Sequence, residues 1–150
     1  MKKIYTITAM LLCLVMFTAC GRRRSIDCSE LAERINTEVE FDEPLTELDA
    51  VGAERYFNIN PSIYDEVAAY VGTKGVCDEF VIIKTDSPSS VSSKLRDHIE
   101  KLKKEYAQYR PNELSKLDNA IIESHSGSVV MIISPDAGQA KKVYDNYMKK

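Results

Sequence analysis

Residues able to do chemistry are few in this chain and far apart. His98, His125, Cys13, Cys20, Cys28 and Cys77 are all of its soft donors. A zinc site draws two ligands from one turn, as in C-x-x-C or H-x-x-x-H, and neither spacing occurs. Calcium loops of the D-x-D-x-D type are also missing. No metal and no cofactor is therefore expected. Ser124-His125-Ser126 sets hydroxyls beside an imidazole, but neighbours on a strand point to opposite faces, so this is a turn rather than a catalytic array. A remote Asp could complete a triad in space, and nothing selects one. The run Ser87 to Ser93 holds five serines at a helix start. Its free N–H groups could hold an anion, or the serines simply cap the helix. No Gly-rich phosphate loop with Lys is present. No catalytic residue is nominated.

Tyrosine is the more suggestive residue. Eight of the 12 aromatics are Tyr and none is Trp. Tyr56, Tyr64, Tyr70, Tyr106 and Tyr109 form a candidate binding surface if the short helix, first strand and long helix that carry them meet. Such amphipathic rings line grooves for peptide or glycan, and they also occupy half-buried core edges. Cys28 and Cys77 leave two readings open, a disulfide or two separate thiols, and geometry decides between them.

The elements that must position these residues follow from periodicity. Asp27 is a helix N-cap, and Leu31, Ile35 and Val39 give a stripe four residues apart, ending near Glu40. Glu47 to Phe57 reads as a short helical stretch before the turn Asn58-Ile59-Asn60-Pro61. Val67, Ala69 and Val71 alternate on a strand, Gly72 to Gly75 turns, and Phe80 to Thr85 returns as a second strand. Val91, Leu95, Ile99, Leu102, Tyr106 and Tyr109 mark one face of a long amphipathic helix, stopped by Pro111. Its outer face carries Lys94, Arg96, Glu100, Lys101, Lys103 and Lys104, a solvated surface. Ala120 to Glu123 and Val129 to Ile133 pair about Ser126-Gly127-Ser128, and Ala137 to Lys149 closes the chain as a helix.

Ser87-Pro88 and Ser134-Pro135 each follow a strand and precede a helix. They are either a duplicated ββα unit or two ordinary caps. The expected fold is α+β and two-layered. A four-stranded, mainly antiparallel sheet from two hairpins is packed on one face by amphipathic helices, with an extra N-terminal helix and Val129–Ile133 central.

The chain has 150 residues, 44% hydrophobic and 29% charged, enough for one modest domain. All 23 acids follow Ser25, whereas five of the 20 bases precede it, so the body carries a net charge of −8. That argues against nucleic acid as a partner, since phosphate recognition needs a basic face.

The basic residues ahead of Ser25 belong to another pattern. Lys2-Lys3, the apolar run Ile4 to Met16 and Phe17-Thr18-Ala19-Cys20-Gly21 form an export signal. The end of it resembles the lipobox of bacterial lipoproteins, although Phe17 stands where Leu is usual. That resemblance implies cleavage before Cys20, with 1–19 a signal peptide, 20–26 a lipidated cysteine and basic tether, and 27–150 one extracytoplasmic domain. Cys20 would carry a diacylglyceryl anchor on the outer face of the cytoplasmic membrane. Two acyl chains hold stably where one is marginal, and Arg22 to Arg24 would lie at the headgroups. Two other readings stand beside it. Ile4 to Gly21 is just long enough for a thin transmembrane helix with the domain inside, and Cys20 could follow an ordinary cleavage site.

Further residues carry a second resemblance. These are Leu45, Glu47-Leu48, Arg55-Tyr56-Phe57-Asn58-Ile59, Asp78-Glu79-Phe80, Tyr109, Pro111, Glu113, Leu117-Asp118-Asn119-Ala120, and Gly127 through Ser134 to Asp136. Over roughly Leu31 to Tyr147 the chain resembles an uncharacterised family of bacterial lipoproteins, domain-of-unknown-function family 4358. Cys77 and the serine run depart from its pattern. The resemblance implies a location and a fold but no activity, and transfers only the lipid-bearing role of Cys20.

Three functions fit these readings. The first is a non-catalytic, membrane-anchored domain that binds an envelope protein, peptide or glycan at the cell surface. The second is an envelope hydrolase with a dispersed site, and the third an accessory subunit of a membrane complex.

Overall fold

Phe80 to Ile83 is an unbroken apolar run, and a strand without a polar face must be covered on both sides. The computed structural model, which describes residues 26–149, does so. Its elements are α1 (Cys28–Glu38), β1 (Thr46–Leu48), α2 (Ala50–Phe57), β2 (Glu66–Val71), β3 (Glu79–Lys84), α3 (Pro88–Tyr109), α4 (Leu114–Asp118), β4 (Ile121–His125), β5 (Ser128–Ile133) and α5 (Ala137–Met148). Short 3-10 turns occupy Pro61–Ile63 and Pro111–Glu113. The signal segment, Cys20 and the arginine tether lie outside the described residues.

The fold is α+β, with one antiparallel sheet ordered β1-β2-β3-β5-β4. Three expectations need correction. The sheet has five strands rather than four, because Thr46–Leu48 pairs with Ala69–Val71. The helical reading of Glu47 to Phe57 began too early. Asp49 accepts from the Gly52 N–H at 2.7 Å and starts the helix only at Ala50.

The third correction is that helices cover both faces rather than one. Val81, Ile83, Val129, Met131 and Ile133 pack with α2 and α3. Phe80, Ile82, Val130 and Ile132 point the other way, onto α1 and α5. The result is three layers with two cores. Alternation along β3 and β5 feeds both, which explains why β5 is buried at every position. β5 is interior as expected, between β3 and β4, with β3 the middle strand.

The long helix α3 follows its stripe. Val91, Leu95, Ile99, Leu102 and Tyr106 are buried, each full apolar side chain contributing about 1.5–3 kcal/mol. Tyr109 departs from the stripe and is exposed at the helix end. Asp27 caps α1, accepting from the Glu30 N–H at 2.9 Å.

The two Ser-Pro junctions are not equivalent. Ser87 makes no side-chain cap, and the Thr85 hydroxyl takes its N–H instead. At the second junction Asp136 is the cap, accepting from Gln139, and the helix starts after Pro135. Moreover, α3 and α5 lie on opposite faces. A two-fold repeat about the antiparallel β3–β5 pair would put them on the same face, so the duplicated ββα reading fails. Ser126 (φ 47°) and Gly127 (φ 78°) make the two-residue β4–β5 turn. Two successive positive φ angles match the twist of a hairpin.

Candidate functional site

The site grows from an acid placed where acids are costly. Glu79 opens β3, facing the α2–α3 core, with its side chain only 1% exposed. A buried carboxylate must be hydrogen-bonded to be tolerated. Helix α3 supplies one partner: His98 Nε2 lies 2.7 Å from Glu79 Oε1. Helix α2 supplies the other, as the Tyr56 hydroxyl donates to Glu79 Oε2 at 2.8 Å. The His98 ring packs against Tyr56 and Phe57, with centroids 5.2 and 4.9 Å away. Burial, then the adjacent Glu79 charge, pushes the Tyr56 phenol well above its ordinary value, so it keeps its proton and donates.

The outer sides of these rings wall a groove. One part, about 410 Å³, is lined by Arg55, Tyr56, Lys94, Asp97, His98 and Lys101 among others. An adjoining part of about 390 Å³ shares Arg55, Tyr56, His98 and Lys101 and adds Lys74, Glu105, Tyr106 and Tyr109. Both volumes are in the range of small-ligand pockets. Tyr106 turns its hydroxyl inward to the Val76 carbonyl at 2.7 Å. Burial and the nearby Cys77 raise its phenol to about 12. Tyr56 is 41% exposed and Tyr109 61%, two of the three large exposed apolar residues in the described structure.

The five-tyrosine surface is thus realised in part. Tyr56, Tyr106 and Tyr109 come together in the groove. Tyr70 does not, because alternation along β2 sends it to the opposite face, stacked on Phe80 at 4.7 Å. Tyr64 also stands apart, donating to Glu54 Oε1 at 2.8 Å, and burial followed by that bond raises it to about 12. Neither Glu79 nor His98 was among the candidate site residues expected from the sequence. An acid at the head of an apolar strand and a histidine one position off an apolar stripe were the available signals.

A second polar cluster lies one residue away. Asp78, its side chain fully buried, meets Lys116 Nζ at 2.6 Å. The same ammonium meets Asp42 at 2.5 Å and Glu113 at 3.0 Å. Glu113 also accepts from the Cys77 N–H at 3.0 Å. Cys77, Asp78 and Glu113 lie close enough to share a cation. The Lys116 ammonium supplies that charge, and burial pushes the Cys77 thiol well up, which makes it a poor metal ligand.

Cys28 and Cys77 are separate buried thiols, one in each core. The sheet stands between them, so the disulfide reading is closed. His125 ends β4 at the hairpin turn, opposite Ser128. Among the described residues no helix is long and apolar enough to cross a membrane.

The family described as Domain of unknown function (DUF4358) matches residues 37–134, and the chain belongs to it. No curated protein and no solved structure matches the chain. Tyr56, Asp78, Glu79 and Glu113, among the residues that carry the family resemblance, all belong to the two polar clusters. The matched span holds every residue named in the groove.

Proposed function

We propose that this protein is a membrane-anchored, extracytoplasmic lipoprotein whose α+β body binds a ligand or partner through the α2–α3 groove. The observation that carries the binding reading is the groove itself. Two exposed tyrosine rings flank a pair of small cavities; the buried Glu79–His98 pair holds the Tyr56 ring in place, and Tyr109 packs beside Tyr106. Preorganised rings reduce the entropy lost on binding. The orientation of Glu79, His98 and Tyr56 does not favour their use in hydrolysis. The Tyr56 proton and the Nε2 side of His98 both face Glu79, which suits positioning rather than proton transfer to a ligand.

The anchoring reading rests on Thr18-Ala19-Cys20-Gly21 behind an apolar run, and on three arginines that follow. Metabolic labelling with palmitate and membrane fractionation test it. The full chain should take up label and sediment with membranes, and Cys20→Ser should abolish both. A serine variant that still partitions with lipid overturns the anchor.

A further inference from the structure

The walls of the groove carry a charge opposite to that of the body. Arg55, Lys74, Lys94 and Lys101 line it against Asp97 and Glu105, whereas the chain from Ser25 onward is −8. The cations are also unspent. Among the described residues, Arg55, Lys74 and Lys94 have no carboxylate within ion-pair distance. Lys101 meets only Glu105, at 3.8 Å and with both ends exposed. Lys103, Lys116 and Lys141 show the contrast, each held by two or more carboxylates.

All four are exposed and solvated, so what an incoming anion would meet is their summed field, four positive charges against two negative. A cleft with low-dielectric walls focuses their field. Beside the cations stand Tyr56 and Tyr109. Tyr56 turns its hydroxyl inward, so what it presents outward is ring carbon. Flat apolar rings next to cations suit a ligand with an apolar face and an anionic group. The walls come from two helices and the loop after β2. No unpaired strand edge is offered, so main-chain addition of a peptide lacks its template.

We infer that this groove takes an acidic sugar, a pyranose bearing carboxylate or phosphate, either free or within a glycan chain. This rests on the binding reading above and adds the class of ligand. Calorimetry on the full chain in neutral detergent tests it with four probes. These are hexagalacturonate, its fully methyl-esterified form, monomeric galacturonate and hexaglutamate.

Hexagalacturonate should bind at least about tenfold more tightly than the ester, which lacks the charge, and than hexaglutamate, which lacks the rings. Arg55→Gln should weaken it about tenfold. Tyr109→Ala should weaken it as well, while Lys142→Gln, on the exposed side of α5, should leave it unchanged. All three positions are exposed, so these variants should fold. Monomer binding as tight as the hexamer identifies a free sugar acid, and a clear hexamer advantage identifies a chain. Both support the inference. Equal binding of the ester, lost in Tyr109→Ala, overturns the acidic class but leaves the binding groove standing. Equal binding of hexaglutamate overturns the sugar in favour of a peptide. No binding of either galacturonate probe overturns the inference, and palmitate labelling is unaffected by any of these results.

Discussion

Asp78 and Glu79 are neighbours in sequence, both buried, and they live in different company. Asp78 faces a fixed cation: Lys116 gathers it with Asp42 and Glu113, one ammonium shared by three carboxylates. Among the described residues no lysine or arginine pairs with Glu79. A phenol and an imidazole satisfy it, and the far sides of those same rings form a groove wall. The first cluster pins the 42–45 loop, the start of β3 and α4 to one another. The second transmits order from the core to a surface. Buried polar residues therefore divide here into one group that closes the fold and one that shapes what the fold presents.

The largest effect should come from the closed cluster. Lys116→Met leaves three carboxylates without their cation. Removing one partner of a buried ion pair costs about 3–5 kcal/mol. Chemical denaturation should show that loss. A loss near zero would mean the cluster is solvated and the contrast with Glu79 is false.

Glu79→Gln should come next, at about 1–3 kcal/mol, since it weakens two hydrogen bonds in a buried site but leaves no stranded charge. Its signature is different. Quenching or chemical-shift change at Tyr56 should accompany it, whereas Lys116→Met should leave that ring unchanged.

The smallest effect is in pH. Burial pushes the Glu113 carboxyl up, but the Cys77 N–H and the Lys116 ammonium outweigh it and hold it below the ordinary 4.5. A carboxyl depressed in the folded state contributes stability above its unfolded pKa and loses it as pH falls through the folded value. Stability should therefore decline below about pH 4.5, and Glu113→Gln should flatten that slope. An unchanged slope in the variant would assign the acid sensitivity to other carboxylates.

How much of this could be read beforehand depended on the length of the signal. The α3 stripe runs through five turns, and periodicity placed it within a few residues. The Asp27 cap and the Ser126-Gly127 turn were local chemistry and were equally plain. β1 was not, because Thr46-Glu47-Leu48 is three residues at a sheet edge and too short for any period. Helices on both faces were foreshadowed by the unbroken Phe80–Ile83 run, but a single apolar run does not say what covers it. The tyrosines show the same limit. Alternation of Val67, Ala69 and Val71 already put Tyr70 on the other side of the sheet, while the meeting of Tyr56 with His98 and Glu79 needed three elements brought together. Glu79 and His98 carried no pattern of their own, since a partnered buried residue is defined by its neighbours in space.

One further detail bears on how such a body would work at a surface. Ile26 is 2% exposed, buried against α1 and α5, and the Asp27 N–H is held by the Tyr147 hydroxyl at 3.0 Å. Ile26 is thus already packed into the fold. If Cys20 carries the proposed lipid, the six residues from it to Ile26 span no more than about 20 Å even when fully extended. A domain so closely moored would sweep a shell barely one molecule thick. It would meet whatever is rooted in the same bilayer or lying on it at high local concentration, and nothing farther out.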